Sequence, residues 1–193
     1  YLIEALIAKT RTHHIFRALD KRSEKHYALK FANANSENSA AARANLAHEM
    51  ALGNHIRLPN CVTALPFDQA RQSGLYAVFD FIKGKNIQST DARRYGLAQL
   101  LKIGIELAER LHLLHQINFV HADVKPDNIL RGDDNQLYLI DFSLARNRAD
   151  ASSNNGGGTP TFMAPELWQD GAVSPLSDQY ALAVTLYALA TGG

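Results

Sequence analysis

The sequence has a single cysteine, no excess of basic residues and no long apolar run. One cysteine, Cys61, cannot form a disulfide within the chain, which excludes a disulfide-stabilised scaffold and favours a reducing, cytoplasmic location. The most apolar stretch, 180–192, is too short to span a bilayer and is expected to form a buried helix. Because 20 Lys and Arg face 19 Asp and Glu, no nucleic-acid partner is expected.

The chain has 193 residues, of which 46% are hydrophobic and 20% are charged. This composition is typical of a globular protein, and the length suits one domain or two small lobes that share a cleft. The sequence begins with Tyr1 instead of methionine and ends just after the apolar stretch. We therefore expect further residues, or a further domain, beyond Gly193.

Strands are predicted in the first part of the chain, where mixed apolar runs are bounded by charged residues. The candidates are residues 13–20, 26–32, 61–67 and 75–81. The alanine-rich segment 35–53 predicts a helix with Ser36 or Ser39 near its N-cap. The glycine-containing segment 82–86 is expected to be a connector that ends the first lobe.

The second part of the chain is predicted to be mainly helical. Six small or apolar residues are expected to share one face of a long helix, with Asp91 as its N-cap. These residues are Leu97, Leu101, Gly104, Ile105, Ala108 and Leu111. A loop rich in glycine and asparagine follows at 152–158, and a final helix is expected to begin near Ser177. A strand-rich part before a helix-rich part predicts an α+β fold with two lobes, 1–82 and 83–193.

Asp123, Lys125 and Asn128 lie close together in HADVKPDNIL, residues 121–130. Aspartate, asparagine and proline are common in turns, so one interpretation is a polar surface loop. Another carboxylate, Asp141, ends the next apolar run. Asparagine and carboxylate oxygens are ligands that Mg²⁺ prefers, so Asn128 and Asp141 also suit a metal site for phosphoryl transfer. We expect substitution of the loop residue Asp123 to leave folding nearly intact.

Lys30 lies in YALKFA, a predicted strand made otherwise of apolar and aromatic residues. At a sheet edge this lysine would point into water. On the inner face it would need an anionic partner, and Glu49 on the following helix is the candidate. Such a pair could hold the ammonium group near the phosphates of a nucleotide.

Four segments, in this order, resemble motifs of the eukaryotic-type serine/threonine protein kinases. YALKF resembles the strand-lysine motif, HADVKPDN the catalytic loop, DFS the magnesium motif and GTPTFMAPE the end of the activation segment. Asp178 matches the aspartate that opens the central helix of the large lobe. The resemblance covers almost the whole chain. It implies a two-lobed kinase fold, ATP and Mg²⁺ as cofactors, and a protein substrate with a serine or threonine acceptor.

The resemblance also implies roles at the reacting groups. Asp123 would accept or orient the proton of the substrate hydroxyl. Lys125 would steady the γ-phosphate, and Thr159 would lie against this pair. Asn128 and Asp141 would hold Mg²⁺.

The other residues implied by the resemblance would contact ATP. Lys30 and Glu49 would engage its α- and β-phosphates. The adenine would be contacted by Ile15, Ala28 and Leu130, with Phe79 at its flank. The hinge hydrogen bonds would come from the backbone of Asp80, Phe81 and Ile82. The ribose would contact Asn86.

The sequence departs from the family at the loop that covers the phosphates. Ala8, Thr10 and His13 stand where the resemblance predicts glycines, which let the backbone approach the phosphates closely. We therefore expect weak ATP binding, which glycine at positions 8 and 10 would strengthen. A protonated His13 over the phosphates would make the binding stronger at mildly acidic pH.

Ala122 stands where many family members have arginine, and Ser143 where glycine is usual. In kinases with that arginine, a phosphorylated activation loop becomes ordered by pairing with it. A phosphate on Ser152, Ser153 or Thr161 would lack this partner. We therefore expect activity that does not depend strongly on loop phosphorylation.

Three functions stay open at this point. The leading hypothesis is an active serine/threonine protein kinase. The alternative is a pseudokinase, which binds a nucleotide or acts as a scaffold; the missing glycines favour it, whereas Lys30, Asp123, Asn128 and Asp141 oppose it. A kinase for small molecules, of the aminoglycoside- or choline-phosphorylating type, shares the acidic layout, but the VKPDN and APE segments argue against it.

Overall fold

A computed structural model of the chain describes residues 1–33, 39–66, 76–89, 95–150, 158–169 and 171–192. The chain divides into two compact units, unit 1 of residues 1–57 and 62–82, and unit 2 of residues 58–61 and 83–193. Among the described residues, unit 1 has a four-stranded sheet and a helix, whereas unit 2 has two long helices and two small sheets. The predicted α+β class is confirmed.

Unit 1 is built on an antiparallel sheet with the strand order β1-β2-β3-β4. The strands are β1, Leu2–Lys9; β2, His13–Asp20; β3, Lys25–Ala32; and β4, Tyr76–Asp80. Helix α1, Ser39–Leu52, follows β3. The strands predicted at 13–20, 26–32 and 75–81 and the helix predicted within 35–53 are confirmed, although Ser36 and residue 75 lie outside the described residues. The sequence pattern did not predict β1.

Side chains alternate between the two faces of this sheet, and each face has its own core. Leu29 and Val78 are buried on one face, and Ala77 and Phe79 are buried on the other, together with Leu46 of α1. Each fully buried leucine or phenylalanine side chain contributes about 1.5–3 kcal/mol. The second face therefore holds α1 against the sheet.

The strand expected at 61–67 is wrong over its described part. Cys61 forms an isolated bridge with Leu139, and residues 62–66 belong to no strand; residue 67 lies outside the described part of the chain. This segment makes isolated hydrogen bonds instead of the regular series that joins two β-strands. The amide of Leu65 donates to the carbonyl of Val78 at 2.7 Å.

Unit 2 contains α2, Leu97–Gln116, and α3, Pro175–Thr191, which pack against each other. Its larger sheet has the order β5-β7-β8, with β5, Gly84–Asn86; β7, Ile129–Gly132; and β8, Leu137–Leu139. A two-stranded sheet joins β6, Phe119–Val120, to β9, Arg146–Asn147. No helix among the described residues has the length and apolarity that crossing a membrane requires.

Strand β5 lies within the segment 82–86, which was expected to be a simple connector. Its register pairs Gly84 with Gly132 and Asn86 with Leu130. A Cβ atom at Gly84 would collide with the carbonyl oxygen of Arg131, so only glycine allows this close approach. The glycine that indicated a connector is therefore a requirement of strand pairing.

Helix α2 begins at Leu97 with Gly96 as its N-cap, so the expected cap at Asp91 is wrong; Asp91 itself lies outside the described residues. Of the six residues expected to share one face of this helix, Leu97, Leu101 and Ile105 are 73%, 58% and 60% exposed, whereas Leu111 is buried. The buried residues of α2 are Ile103, Leu107, Leu111 and Leu114. Apolar residues lie on more than one side of this helix, and the elements that pack against it select which side is covered.

Helix α3 begins at Pro175, two residues before the predicted start at Ser177. The amide of Ser177 donates to Oγ of Ser174 at 3.3 Å, and the amide of Ser174 donates to Oγ of Ser177 at 2.9 Å. Such N-caps contribute about 0.5–2 kcal/mol, and proline is well suited to the first helical position. The helix ends at Thr191 and is capped by Gly192, whose φ of 91° is in the left-handed region that glycine favours.

Candidate active site

The Asp123 carboxylate is the centre of a hydrogen-bond cluster in unit 2. Its Oδ1 accepts hydrogen bonds from the amide and from the hydroxyl of Thr159, each at 2.9 Å. Its Oδ2 accepts from Nδ2 of Asn128 at 2.9 Å and lies 2.7 Å from Nζ of Lys125. Lys125 also donates to Oγ1 of Thr159 at 2.6 Å. The structure thus brings together Asp123, Lys125, Asn128 and Thr159, although Thr159 is 36 residues away from Asp123 in the chain.

Asn128 ends a short 3₁₀ turn that begins with Pro126, whose ring fixes the backbone at this point. Its side-chain nitrogen donates to the backbone carbonyl of Asp123 at 2.8 Å and to the carboxylate of the same residue. These bonds use the amide nitrogen, so the amide oxygen is the atom that could ligate a cation. The sequence DNIL therefore orients an oxygen donor next to Asp123.

Asp141 follows β8 and is joined to the Asn128 segment through the backbone. The amide of Ile140 donates to the carbonyl of Asn128 at 3.0 Å, which puts Asp141 one residue from this contact. Asp141 has a φ of 61°, a left-handed conformation that costs a non-glycine residue about 1–2 kcal/mol and is found at functional sites. One carboxylate and one amide oxygen fit Mg²⁺, which usually keeps several waters and binds substrate phosphates. The described residues contain no cluster of three or more His, Cys, Asp or Glu side chains suited to a metal.

Asp178, at the start of α3, holds the backbone before Asp123. It is 1% exposed, and its two oxygens accept hydrogen bonds at 2.9 Å from the amides of His121 and Ala122. Ala122 has a φ of 65°, so these bonds stabilise a strained conformation. His115 of α2 also lies 2.9 Å from Asp178, through Nε2. His115 was not predicted, because a single histidine in a long helix gives no signal until its partner is known.

The buried ring of His121 connects the Asp123 loop to the segment before Asp141. Its Nε2 lies 3.2 Å from the carbonyl oxygen of Ile140, and its ring centroid is 4.8 Å from that of Phe142. A carbonyl oxygen only accepts, so Nε2 carries the proton and Nδ1 accepts the 3.4 Å contact from the amide of Asp123. This histidine therefore helps to fix both segments that carry the acidic residues.

In unit 1, Nζ of Lys30 lies 2.8 Å from Oε2 of Glu49. The side chains are 8% and 1% exposed, so this ion pair is largely removed from water. Lys30 is opposite Ile15 on β2 and Ala77 on β4, and it therefore shares the sheet face that packs against α1. The pairing expected from the sequence is present.

Of the residues assigned to adenine and hinge contacts, Ala28, Phe79 and Asp80 lie on neighbouring positions of the unit 1 sheet. Ala28 is opposite Phe79 in the register of β3 and β4, and Phe79 is buried in the core beneath α1. Asp80 ends β4, and Phe81 and Ile82 follow it. The Phe81 ring lies 6.0 Å from the guanidinium carbon of Arg17.

Asn86 and Leu130 belong to unit 2, where they are opposite each other in β5 and β7. Nδ2 of Asn86 donates to the carbonyl of Asp127 at 2.7 Å, and its Oδ1 accepts from the amide of Gln88 at 2.9 Å. The amide group expected at the ribose thus makes hydrogen bonds that stabilise the polypeptide itself.

The ring of His13 contradicts the expectation of a cation free to lie over the phosphates. The residue is buried, with Nε2 3.2 Å from the carbonyl oxygen of Ala42 and Nδ1 3.0 Å from Oγ1 of Thr12. The ring therefore faces α1 of the same unit. Periodicity could not predict this, because the contact joins residues 29 apart.

Comparison with known proteins agrees with the motifs. A family model for the protein kinase domain matches residues 6–193. The serine/threonine-protein kinase PknL of Mycobacterium bovis is 31% identical over 200 residues, which is 100% of this chain and 49% of the relative. The serine/threonine-protein kinase PknK of the same species is 34% identical over 152 residues, or 76% of this chain and 14% of the relative.

A third relative, the serine/threonine-protein kinase Pkn3 of Myxococcus xanthus, is 26% identical over 207 residues, which is 100% of this chain and 38% of the relative. The chain spans about half the length of PknL and less of the other two. The family model covers nearly the whole chain, and it includes the strand lysine, the catalytic loop, the DFS segment and the APE segment. The resemblance drawn from these four motifs is confirmed, and the chain belongs to the protein kinase domain family.

Proposed function

We propose that this chain is the catalytic domain of a serine/threonine protein kinase, which transfers the γ-phosphate of ATP to a protein hydroxyl group. The observation that carries the proposal is the hydrogen-bonded cluster of Asp123, Lys125, Asn128 and Thr159. A carboxylate, a cation and an amide held together in this way suit phosphoryl transfer, where catalysis is mainly positioning and charge neutralisation. The relatives PknL, PknK and Pkn3 are all named serine/threonine-protein kinases, which supports the same substrate class.

In the proposed reaction, the substrate hydroxyl oxygen forms a bond to the γ-phosphorus while the bond to the β–γ bridging oxygen breaks, and ADP leaves. Asp123 orients the hydroxyl group and takes its proton. Each carboxylate oxygen has about two lone-pair sites, and those of Asp123 are already used. A substrate hydroxyl therefore displaces one donor. Lys125 is the flexible one, and it would turn towards the γ-phosphate.

The phosphates of ATP are assigned to Lys30, which Glu49 orients, and the cation is assigned to Asn128 and Asp141. When bound, Mg²⁺ would neutralise negative charge on the phosphates. We assign the adenine, hinge and ribose contacts to the residues that the resemblance implies. A cytoplasmic location is proposed as well, because the reaction consumes ATP and Cys61 is a free thiol.

The alternative is a pseudokinase that binds a nucleotide without useful turnover. The observation in its favour is the hairpin formed by the end of β1, the loop and the start of β2, where Ala8, Thr10 and His13 stand at the positions of the expected glycines. Side chains at these positions can keep backbone N–H groups away from the phosphates. Binding without transfer would identify this alternative.

The deciding experiment measures transfer of labelled phosphate from ATP·Mg²⁺ to a generic basic protein, together with ATP binding by calorimetry. We expect transfer by the wild type and a loss of several orders of magnitude in Asp123→Asn. Asp133→Asn is the matched control, because this aspartate is on the surface and pairs with the exposed Lys83. Binding with no transfer would support the pseudokinase, and neither binding nor transfer would overturn both proposals.

A further inference from the structure

The loop between β1 and β2 is closed by its own hydrogen bonds. The amide of Thr10 donates to the carbonyl of His13 at 2.8 Å, and the amide of His13 donates to Oγ1 of Thr10 at 2.9 Å. Asn33, after β3, donates from its backbone to the carbonyl of Thr12 at 2.7 Å and from its side chain to that of Arg11 at 3.1 Å. Glycine at position 10 would remove the hydroxyl that closes this turn, so the glycine substitutions expected to tighten ATP binding would also loosen the loop.

The side chain of His13 ties this turn to α1. Nε2 lies 3.2 Å from the carbonyl oxygen of Ala42, which can only accept, so Nε2 carries the proton. In the neutral ring, Nδ1 then accepts from the hydroxyl of Thr12 at 3.0 Å. Both ring nitrogens thus have hydrogen-bond partners in unit 1, and the His13 side chain that makes these bonds is buried from water.

His13 and Lys30 lie on the same face of the sheet. His13 is opposite Ala32 and Ile15 is opposite Lys30, and alternate residues of a strand share a face. That face is covered by α1, so two neighbouring strands reach the helix with one polar side chain each. His13 of β2 contacts Ala42, and Lys30 of β3 contacts Glu49.

The two contacts hold α1 at points two helical turns apart. Ala42, Leu46, Glu49 and Leu52 are the buried residues of α1, and the separation of seven positions between Ala42 and Glu49 spans about 10 Å of helix axis. Leu46, between them, packs into the apolar cluster on the sheet. A rotation of α1 that moved Glu49 away from Lys30 would therefore also break the bond between His13 and Ala42.

We propose that His13 is a positioning residue, which holds α1 in the orientation where Glu49 pairs with Lys30. The family motif has glycine at position 13, which has no side chain that could reach the helix. Histidine at this position therefore adds a contact with α1 that a glycine could not make. The kinetic consequence rests on the proposed kinase function, whereas the structural consequence does not.

The structural test is hydrogen exchange of the α1 amides in the full chain. A typical net hydrogen bond corresponds to a factor of about five in an equilibrium constant, so His13→Ala should make the amides of α1 exchange about fivefold faster. His14→Ala is the matched control, because His14 is the next residue of the same strand and points to the opposite face. Unchanged exchange in the His13 variant would overturn the proposal.

A second variant keeps the test decisive if His13→Ala folds poorly. In His13→Gln, the side-chain amide group can still donate to the carbonyl of Ala42. This variant should therefore keep the exchange rates of the α1 amides close to those of the wild type. His13→Gly should behave like His13→Ala. If the glutamine variant exchanged as fast as the glycine variant, the bond to Ala42 would not be what holds the helix.

The kinetic test is a double-mutant cycle with Glu49→Gln. His13→Ala alone should lower kcat/KM for ATP·Mg²⁺ about fivefold, and it should add little once Glu49 has been replaced, because both changes act on the same pair. Fully additive losses would contradict an action through Glu49. If the wild type transferred no phosphate, the proposed function would fail, and the exchange measurements would still decide the role of His13.

Discussion

Thr159 donates its backbone N–H and its hydroxyl to the same oxygen of Asp123, and both hydrogen bonds measure 2.9 Å. Lys125 and Asn128 contact the other oxygen, and Asp123 is only 9% exposed. A carboxylate held by four groups is part of the folded structure of unit 2. The expectation that a change at Asp123 leaves folding nearly intact is therefore replaced by a measurable cost.

Asp123→Asn should lower both phosphoryl transfer and stability. The asparagine side chain would present N–H donors to groups that are themselves donors, and it would leave Lys125 without its anionic partner. Hydrogen bonds to charged groups contribute about 1.5–3 kcal/mol each. We expect the free energy of unfolding to fall by about 2–3 kcal/mol, and transfer to fall by several orders of magnitude. Urea unfolding and transfer, measured on the same sample, check this, with Asp133→Asn as control. An unchanged free energy of unfolding would show that the cluster contributes nothing to folding.

Lys30→Met should destabilise unit 1, because it leaves Glu49 as a buried charge without this cation. Removing one partner of a buried ion pair costs about 3–5 kcal/mol, whereas an exposed pair contributes about 0–1 kcal/mol. Lys83→Met is the control, since Lys83 and Asp133 are 84% and 59% exposed. Urea unfolding should separate the two variants.

The double variant Lys30→Met, Glu49→Leu should regain most of the lost stability without regaining phosphoryl transfer, because well-packed apolar residues can replace a buried pair. This outcome would separate the contribution of the pair to folding from its contribution to nucleotide binding. A double variant as unstable as Lys30→Met alone would instead mean that the site cannot be repacked.

Cys61 should make stability fall at alkaline pH. Burial raises the pKa of its thiol from 9.0 to about 12, against a smaller lowering by the charge of Arg110. The folded state therefore keeps a proton that the unfolded state loses above pH 9, so stability is complete below that pH and declines as pH rises towards 12. Between pH 8 and 10.5 the wild type should lose about 1–2 kcal/mol more than Cys61→Ser. Parallel curves for the two proteins would contradict the assignment.

Activity should depend little on phosphorylation of the activation segment. Ala122 has no charge that could pair with a phosphate, and its backbone is held by Asp178. Of the candidate acceptors, Thr161 is exposed, whereas Ser152 and Ser153 lie outside the described residues. Phosphatase-treated protein should keep most of its transfer activity. Loss of activity after this treatment, with recovery on rephosphorylation, would identify another cationic partner.

Local patterns predicted most elements of unit 1 and the start of its helix. Alternation over 13–20 and 26–32 and the alanine-rich run before Leu52 correspond to β2, β3 and α1. For α2 the pattern predicted which residues share a face but not whether that face is buried, and Leu97, Leu101 and Ile105 are exposed. A period of 3.6 residues shows which residues share a side of a helix, but only the packing of neighbouring elements decides which side is buried.

The sequence by itself determined the family, and it indicated candidate site residues, because Asp123, Lys125 and Asn128 lie within a few positions of one another and their order is informative. Tertiary structure alone decided what holds them in place. His121 meets Asp178 across 57 residues, Thr159 meets Asp123 across 36, and His13 meets Ala42 across 29. Local periodicity cannot predict contacts between residues so far apart in the chain, since the directional hydrogen bonds between these groups form only once packing has brought the segments together.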